Sequence, residues 1–89
     1  MKPLSGAQIR AGRALLRWTA QDLARASALG VNTIRRAEIA DDQPSLTVAN
    51  GLAVRRALEA AGVEFIDGNG GGPGVRLRKS KQQRSAARE

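Results

Sequence analysis

Three times within its first 34 residues the chain repeats one local pattern. An apolar residue is followed by a capping residue, and a second apolar residue stands five positions after the first. Leu4-Ser5 leads to Ile9, Trp18-Thr19 to Leu23, and Leu29-Gly30 to Ile34. A residue such as Ser, Thr or Gly at a helix start leaves room for the first unbonded N–H groups to be satisfied. The two apolar residues then staple the entering chain onto the first turn. Three starts this close together predict three short helices in succession, so this half of the chain is a helical bundle.

The first helix is expected within residues 4–17, with Ser5 and Gln8 as a capping box. Ile9, Gly12 and Leu16 repeat at helical spacing and should face inward, with Leu15 nearby. Arg10 and Arg17 fall elsewhere on the helix. Arg13 falls beside the apolar stripe, where a charge needs a partner. The second helix starts at Thr19, with Asp22 positioned to return the capping bond and Leu23, Ala24 and Ser27 inward. Trp18 reads as a core aromatic. With Trp18 and Phe65 the sole aromatics, a base-stacking platform is not expected. The break is Ser27-Ala28-Leu29-Gly30. A third helix then runs from Val31 to about Ile39, with Asn32, Thr33, Arg35 and Arg36 on its outer side. A helix of that kind, braced by another, fits a DNA major groove.

The fourth helix is expected over residues 45–61, capped by Ser45 or Thr47, with Val48, Leu52, Leu58 and Ala61 on its inner side. Gly51 in mid-helix costs ~1 kcal/mol against alanine and suggests close packing. Arg55 and Arg56 read as solvated. After Gly62 the period changes. Val63 to Ile66 and Val75 to Arg78 read as two short strands around a glycine-rich turn, with Val75 and Leu77 on one face. That turn has neither a GKS/T element nor a following helix, which argues against nucleotide binding. A lone hairpin is marginal, so it must pack on the helices or pair with a second copy. Val63, Phe65, Val75 and Leu77 are the candidate dimerisation residues. Residues 79–89 have no apolar face and read as a disordered basic tail. The expected organisation is a DNA-binding domain over 1–62, the strands over 63–78, and the tail. The fold class is mainly α, four or five helices with a short C-terminal hairpin.

Composition narrows the function. Of the formal charge of +7, residues 1–74 contribute nine basic and seven acidic side chains, and residues 75–89 six basic and one acidic. A basic chain points to a polyanionic partner, nucleic acid first. The absence of Cys and His removes disulfides, thiol chemistry, His-based acid–base catalysis and zinc-finger sites. No apolar run approaches the ~20 residues of a membrane span. Neither an enzyme nor a cofactor or metal is expected, because Asp22, Glu38, Asp41 and Asp42 come without a nucleophile–base pair or a ligand cluster.

Leu23-Ala24, Ala28, Leu29-Gly30, Ile34 and Glu38 together resemble the Xre/Cro-type helix-turn-helix of phage repressors and small bacterial regulators. The resemblance covers roughly residues 7–62 and is strengthened by Arg13 upstream and ALEAAGVEF downstream. It implies a partly buried ion pair between Arg13 and Glu38. It aligns Val31, Asn32 and Arg36 with base-reading positions. Side-chain chemistry agrees: Asn32 can bond adenine at two points, Arg36 or Arg35 can fork onto guanine, and Val31 can touch a thymine methyl. Thr19, Gln21 and Thr33 are the candidate phosphate contacts. The chain departs from the pattern in four places. Ala28 stands where glycine is usual, so a left-handed backbone there would be strained. Gly30 replaces Ser or Thr, Ala20 replaces a phosphate donor, and Asp41-Asp42 places two carboxylates in the loop after the recognition helix.

The expected function is therefore sequence-specific recognition of double-stranded DNA by a homodimer on an inverted repeat, in the bacterial cytoplasm at the nucleoid. RNA polymerase or another protein is a further possible partner. The alternative is an antitoxin or phage-type adaptor that keeps the helix-turn-helix and holds a protein with its C-terminal hairpin.

Overall fold

Each of the first two helix starts is built as a reciprocal hydrogen-bonded cap. Ser5 Oγ accepts the Gln8 N–H at 3.0 Å and Gln8 Oε1 accepts the Ser5 N–H at 3.0 Å. Thr19 Oγ1 accepts the Asp22 N–H at 3.0 Å and Asp22 Oδ2 accepts the Thr19 N–H at 2.9 Å. The third start, at Gly30, has no side-chain cap. A computed structural model describes residues 3–40, 46–68 and 70–78. In order they form α1 (Gly6–Leu16), α2 (Ala20–Ser27), α3 (Val31–Ile39), α4 (Val48–Ala60), β1 (Val63–Ile66) and β2 (Gly74–Leu77). The chain is thus mainly helical, with four helices and a two-stranded antiparallel hairpin. The expected tail at 79–89, Ser45 and the Asp41-Asp42 loop lie outside the described residues. Among the described residues no helix is long and apolar enough to cross a membrane.

Ile9, Leu23, Ile34, Val54, Leu58 and Val63 are fully buried and form the centre of the core, with Leu4, Ala24 and Ala37 beside them. α1, α2 and α3 each contribute the apolar residue four positions after the cap, Ile9, Leu23 and Ile34, and α4 contributes Val54 and Leu58. Trp18, Leu29 and Leu16 are half-buried against this core, while Leu15 is turned to solvent. α1 sits between two neighbours. Its Arg13 side chain reaches Glu38 of α3, and a Cβ on its Gly6 would lie only 1.9 Å from the Ala40 carbonyl oxygen at the end of α3. On another side, Gly12 lies against Leu58 and Val63, and Gln8 Nε2 donates to the carbonyls of Ile66 (3.4 Å) and Gly74 (3.2 Å). One glutamine thus closes a cap and bonds both strands at the turn end of the hairpin.

Two helix ends take a left-handed backbone without glycine. Arg17 ends α1 at φ 58° and Ala28 ends α2 at φ 60°. The turn between α2 and α3 therefore carries the strain that alanine brings to this region.

α4 differs from the sequence reading in three respects. It spans Val48–Ala60 where 45–61 was expected, although Thr47, one of the two expected caps, does cap it, accepting the Asn50 N–H at 3.1 Å. Its inner residues are Val54 and Leu58, whereas Val48 and Leu52 are exposed. Leu52 lies about 120° around the helix from Leu58 and about 160° from Val54, so it falls outside the side that Val54 and Leu58, about 40° apart, turn to the core. Burial follows Leu58 because that side meets Gly12 and the core. Among the described residues no atom outside its own helix backbone lies within 4 Å of where a Cβ on Gly51 would stand, so close packing against them does not account for it.

In the hairpin Val63 pairs with Leu77 and Phe65 with Val75, which places these four side chains on one face. That face lies on the helices. Val63 is fully buried, and Phe65 and Val75 are half-buried against the core. Of the two expected arrangements for the hairpin, packing on the helices is the one present, and Leu77 is the most exposed of the four candidate dimerisation residues. The opposite face carries the Arg76–Glu64 ion pair. Arg55 is also not solvated. Its guanidinium lies 5.1 Å from the Phe65 ring centroid, and its Nε lies 3.3 Å from Glu59 Oε2 without hydrogen-bond alignment.

Candidate nucleic-acid interface

The outward side of α3 follows from which of its residues the core takes. Ile34, Ala37 and Glu38 are buried, so the residues about half a turn away must face out. Asn32, Arg35, Arg36 and Ile39 are all exposed, and they form one surface on a nine-residue helix. Asn32 offers an amide with both donor and acceptor, and the two arginines offer forked donors. Val31 is placed differently from its expected role: it is half-buried and packed against the core, which limits its reach toward a thymine methyl. Thr33 is half-buried at the margin.

What holds this surface in place is concentrated at the C-terminal end of α3. Arg13 Nε donates to Glu38 Oε2 at 2.7 Å, and Arg13 Nη2 donates to Glu38 Oε1 at 2.8 Å. The third nitrogen, Nη1, donates to the Trp18 carbonyl at 2.8 Å. One guanidinium therefore ties α1 to α3 and to the junction leading into α2. The Glu38 carboxylate beside it raises the Arg13 pKa above its usual value, chiefly through the hydrogen bond, against the lowering effect of burial. Sequence reasoning had placed Arg10 apart from this clamp, yet Arg10 Nη1 donates to the Glu38 backbone carbonyl. Its spacing was the available signal, because Gly6, Arg10 and Arg13 recur at helical intervals along the side of α1 that meets α3.

The start of α2 presents the other polar group. Thr19 and Gln21 are exposed beside the first turn of the helix. Thr19 Oγ1 already accepts one N–H, which leaves its hydroxyl proton free to donate. Asp22 is held below its usual pKa, first by the Thr19 backbone N–H and further by the nearby Arg25, whose Nη2 donates to Asp22 Oδ1 at 2.7 Å. Arg25 thus offsets the negative charge at this point of the surface. α2 packs on both α3 and α4, so the Thr19–Gln21 turn and the α3 surface belong to one packed unit.

In the comparisons with known proteins, no family model matches the chain and no curated protein matches it.

Proposed function

We propose that the protein is a sequence-specific double-stranded DNA-binding regulator of the Xre/Cro type, which places α3 in the major groove. The observation that carries this reading is the α3 surface: Asn32, Arg35 and Arg36 exposed together on a short helix whose other side is buried and clamped by Arg13. A surface of amide and guanidinium donors matches the major-groove edges of adenine and guanine. In this reading Thr19, Gln21 and Thr33 contact phosphates, and residues 79–89 add sequence-independent attraction to the backbone. The activity is binding, and occupying a promoter would block or recruit polymerase.

A homodimer on an inverted repeat completes the proposal, with recognition helices about 34 Å apart, one turn of DNA. Val63 is buried in its own subunit, so contacts through the hairpin would use a strand edge and Leu77 instead. The test is selection of bound sequences from a random duplex pool, with the mass of the complex measured in parallel. A two-fold symmetric motif bound by two copies supports the reading. Asn32→Ala should then lose ~1–3 kcal/mol of discrimination at one base pair. A pool that enriches no motif refutes it.

A further inference from the structure

We infer that Ile39 is a base-reading residue of the α3 surface and contacts the 5-methyl group of a thymine. The inference rests on the DNA-binding reading above. Ile39 is the last residue of α3 and is 78% exposed. At about 100° per residue it lies about 20° from Asn32 around the helix, and between Arg35 and Arg36. The most exposed apolar side chain of the helix is therefore in the middle of its polar reading surface. Val31, the other apolar candidate, is half-buried on the core.

Length and rigidity favour contact at this end. Nine residues span about 13.5 Å, and Ile39 follows Asn32 by about 10.5 Å along the axis. That is about three base-pair steps of duplex. Helix ends ordinarily fray, but this one is held on its inner side. Arg13 grips the Glu38 carboxylate, Arg10 Nη1 bonds the Glu38 carbonyl, and Gly6 brings the α1 backbone against Ala40. The thymine methyl is the apolar feature of the major-groove floor, and an exposed branched side chain is the chemistry that reads it.

The experiment replaces each dT of the selected duplex in turn by dU, which removes the methyl and leaves base pairing intact. Wild-type protein should bind roughly fourfold more weakly at one such position, the factor that ~0.8 kcal/mol for one methyl-sized group corresponds to. That position should lie about three base pairs from the one read by Asn32. Ile39→Ala should abolish the dU effect there, while Ile39→Val and Asn32→Ala keep it. Because Ile39 and Asn32 are both exposed, all three variants should melt as wild type does. Identical dU profiles for wild type and Ile39→Ala overturn the assignment and leave the DNA-binding reading standing. Failure of any duplex to be selected removes the reading on which it rests.

Discussion

Removing Arg13 should cost more than removing any other charged side chain among the described residues. In Arg13→Met the alkyl stem is kept, but Glu38 loses both hydrogen bonds to its carboxylate and the Trp18 carbonyl loses its donor. The Glu38 side chain is 8% exposed, so its charge is left almost without solvent. Arg13 itself is 23% exposed, which screens the pair in part. Breaking one side of a fully buried pair costs roughly 3–5 kcal/mol. Discounting for the exposed edge of Arg13 gives ~2–4 kcal/mol. Against a total stability of roughly 4–10 kcal/mol for a domain of this size, that is a large fraction. It corresponds to a fall in Tm of roughly 10–25 °C. Urea denaturation of wild type, Arg13→Met, Glu38→Met and the double variant would separate the pair from its surroundings. The double variant should be more stable than either single one, because it leaves no unpaired buried charge. Arg13→Lys should recover only part of the loss, since one ammonium cannot reproduce the three-nitrogen fork. A loss below ~1 kcal/mol in Arg13→Met, the range of exposed pairs, would refute the clamp as a buried element.

Three other perturbations follow from local geometry. Ala28→Gly relieves a left-handed backbone at φ 60° and should stabilise the domain by ~0.5–1 kcal/mol in the same denaturation assay, after allowing for the freer unfolded chain. Gly51→Ala and Gly6→Ala should have opposite signs. The first enters open space in mid-helix and should stabilise by up to ~1 kcal/mol. The second drives a Cβ to 1.9 Å from the Ala40 carbonyl oxygen and should lower Tm markedly. Asp22 sets a pH dependence. Its folded pKa lies below the ordinary 3.8, so its contribution is present above that value and is lost as pH falls through the folded value. The Tm advantage of wild type over Asp22→Asn should therefore shrink on acidification below about pH 4 and stay constant from there to neutrality.

The parts of the fold that were legible in the sequence are those whose causes lie within one helical turn. Ser5 with Gln8 and Thr19 with Asp22 bond across three residues, and Gly30 likewise marked the start of α3. Such contacts need no knowledge of the rest of the chain. The same locality made Asn32, Arg35 and Arg36 readable as an outer face, because Ile34 fixed the inner one. The link from Arg13 to Glu38, which joins residues 25 apart, was reached through a family resemblance and not through local pattern. In the structure these two side chains meet in a two-bond fork.

Elsewhere the neighbours decided. α4 carries apolar residues on more than one side, and its sequence pointed to Leu52 where the buried residue is Val54. Contact of Leu58 with Gly12 made the choice. Arg55 reads as a surface charge until Phe65 is folded beneath it. Val63 and Phe65 lie on a strand face that the sequence left to either the helices or a second copy, and α1 and α4 cover it. Gln8 showed its role in the cap, but its second amide atom bonds strands nearly 60 residues or more away in the chain. The sequence by itself therefore determined where helices begin and which side chains α3 offers. Tertiary packing alone decided which faces are buried, because burial depends on the surface that arrives from elsewhere in the chain and not on the pattern that presents it.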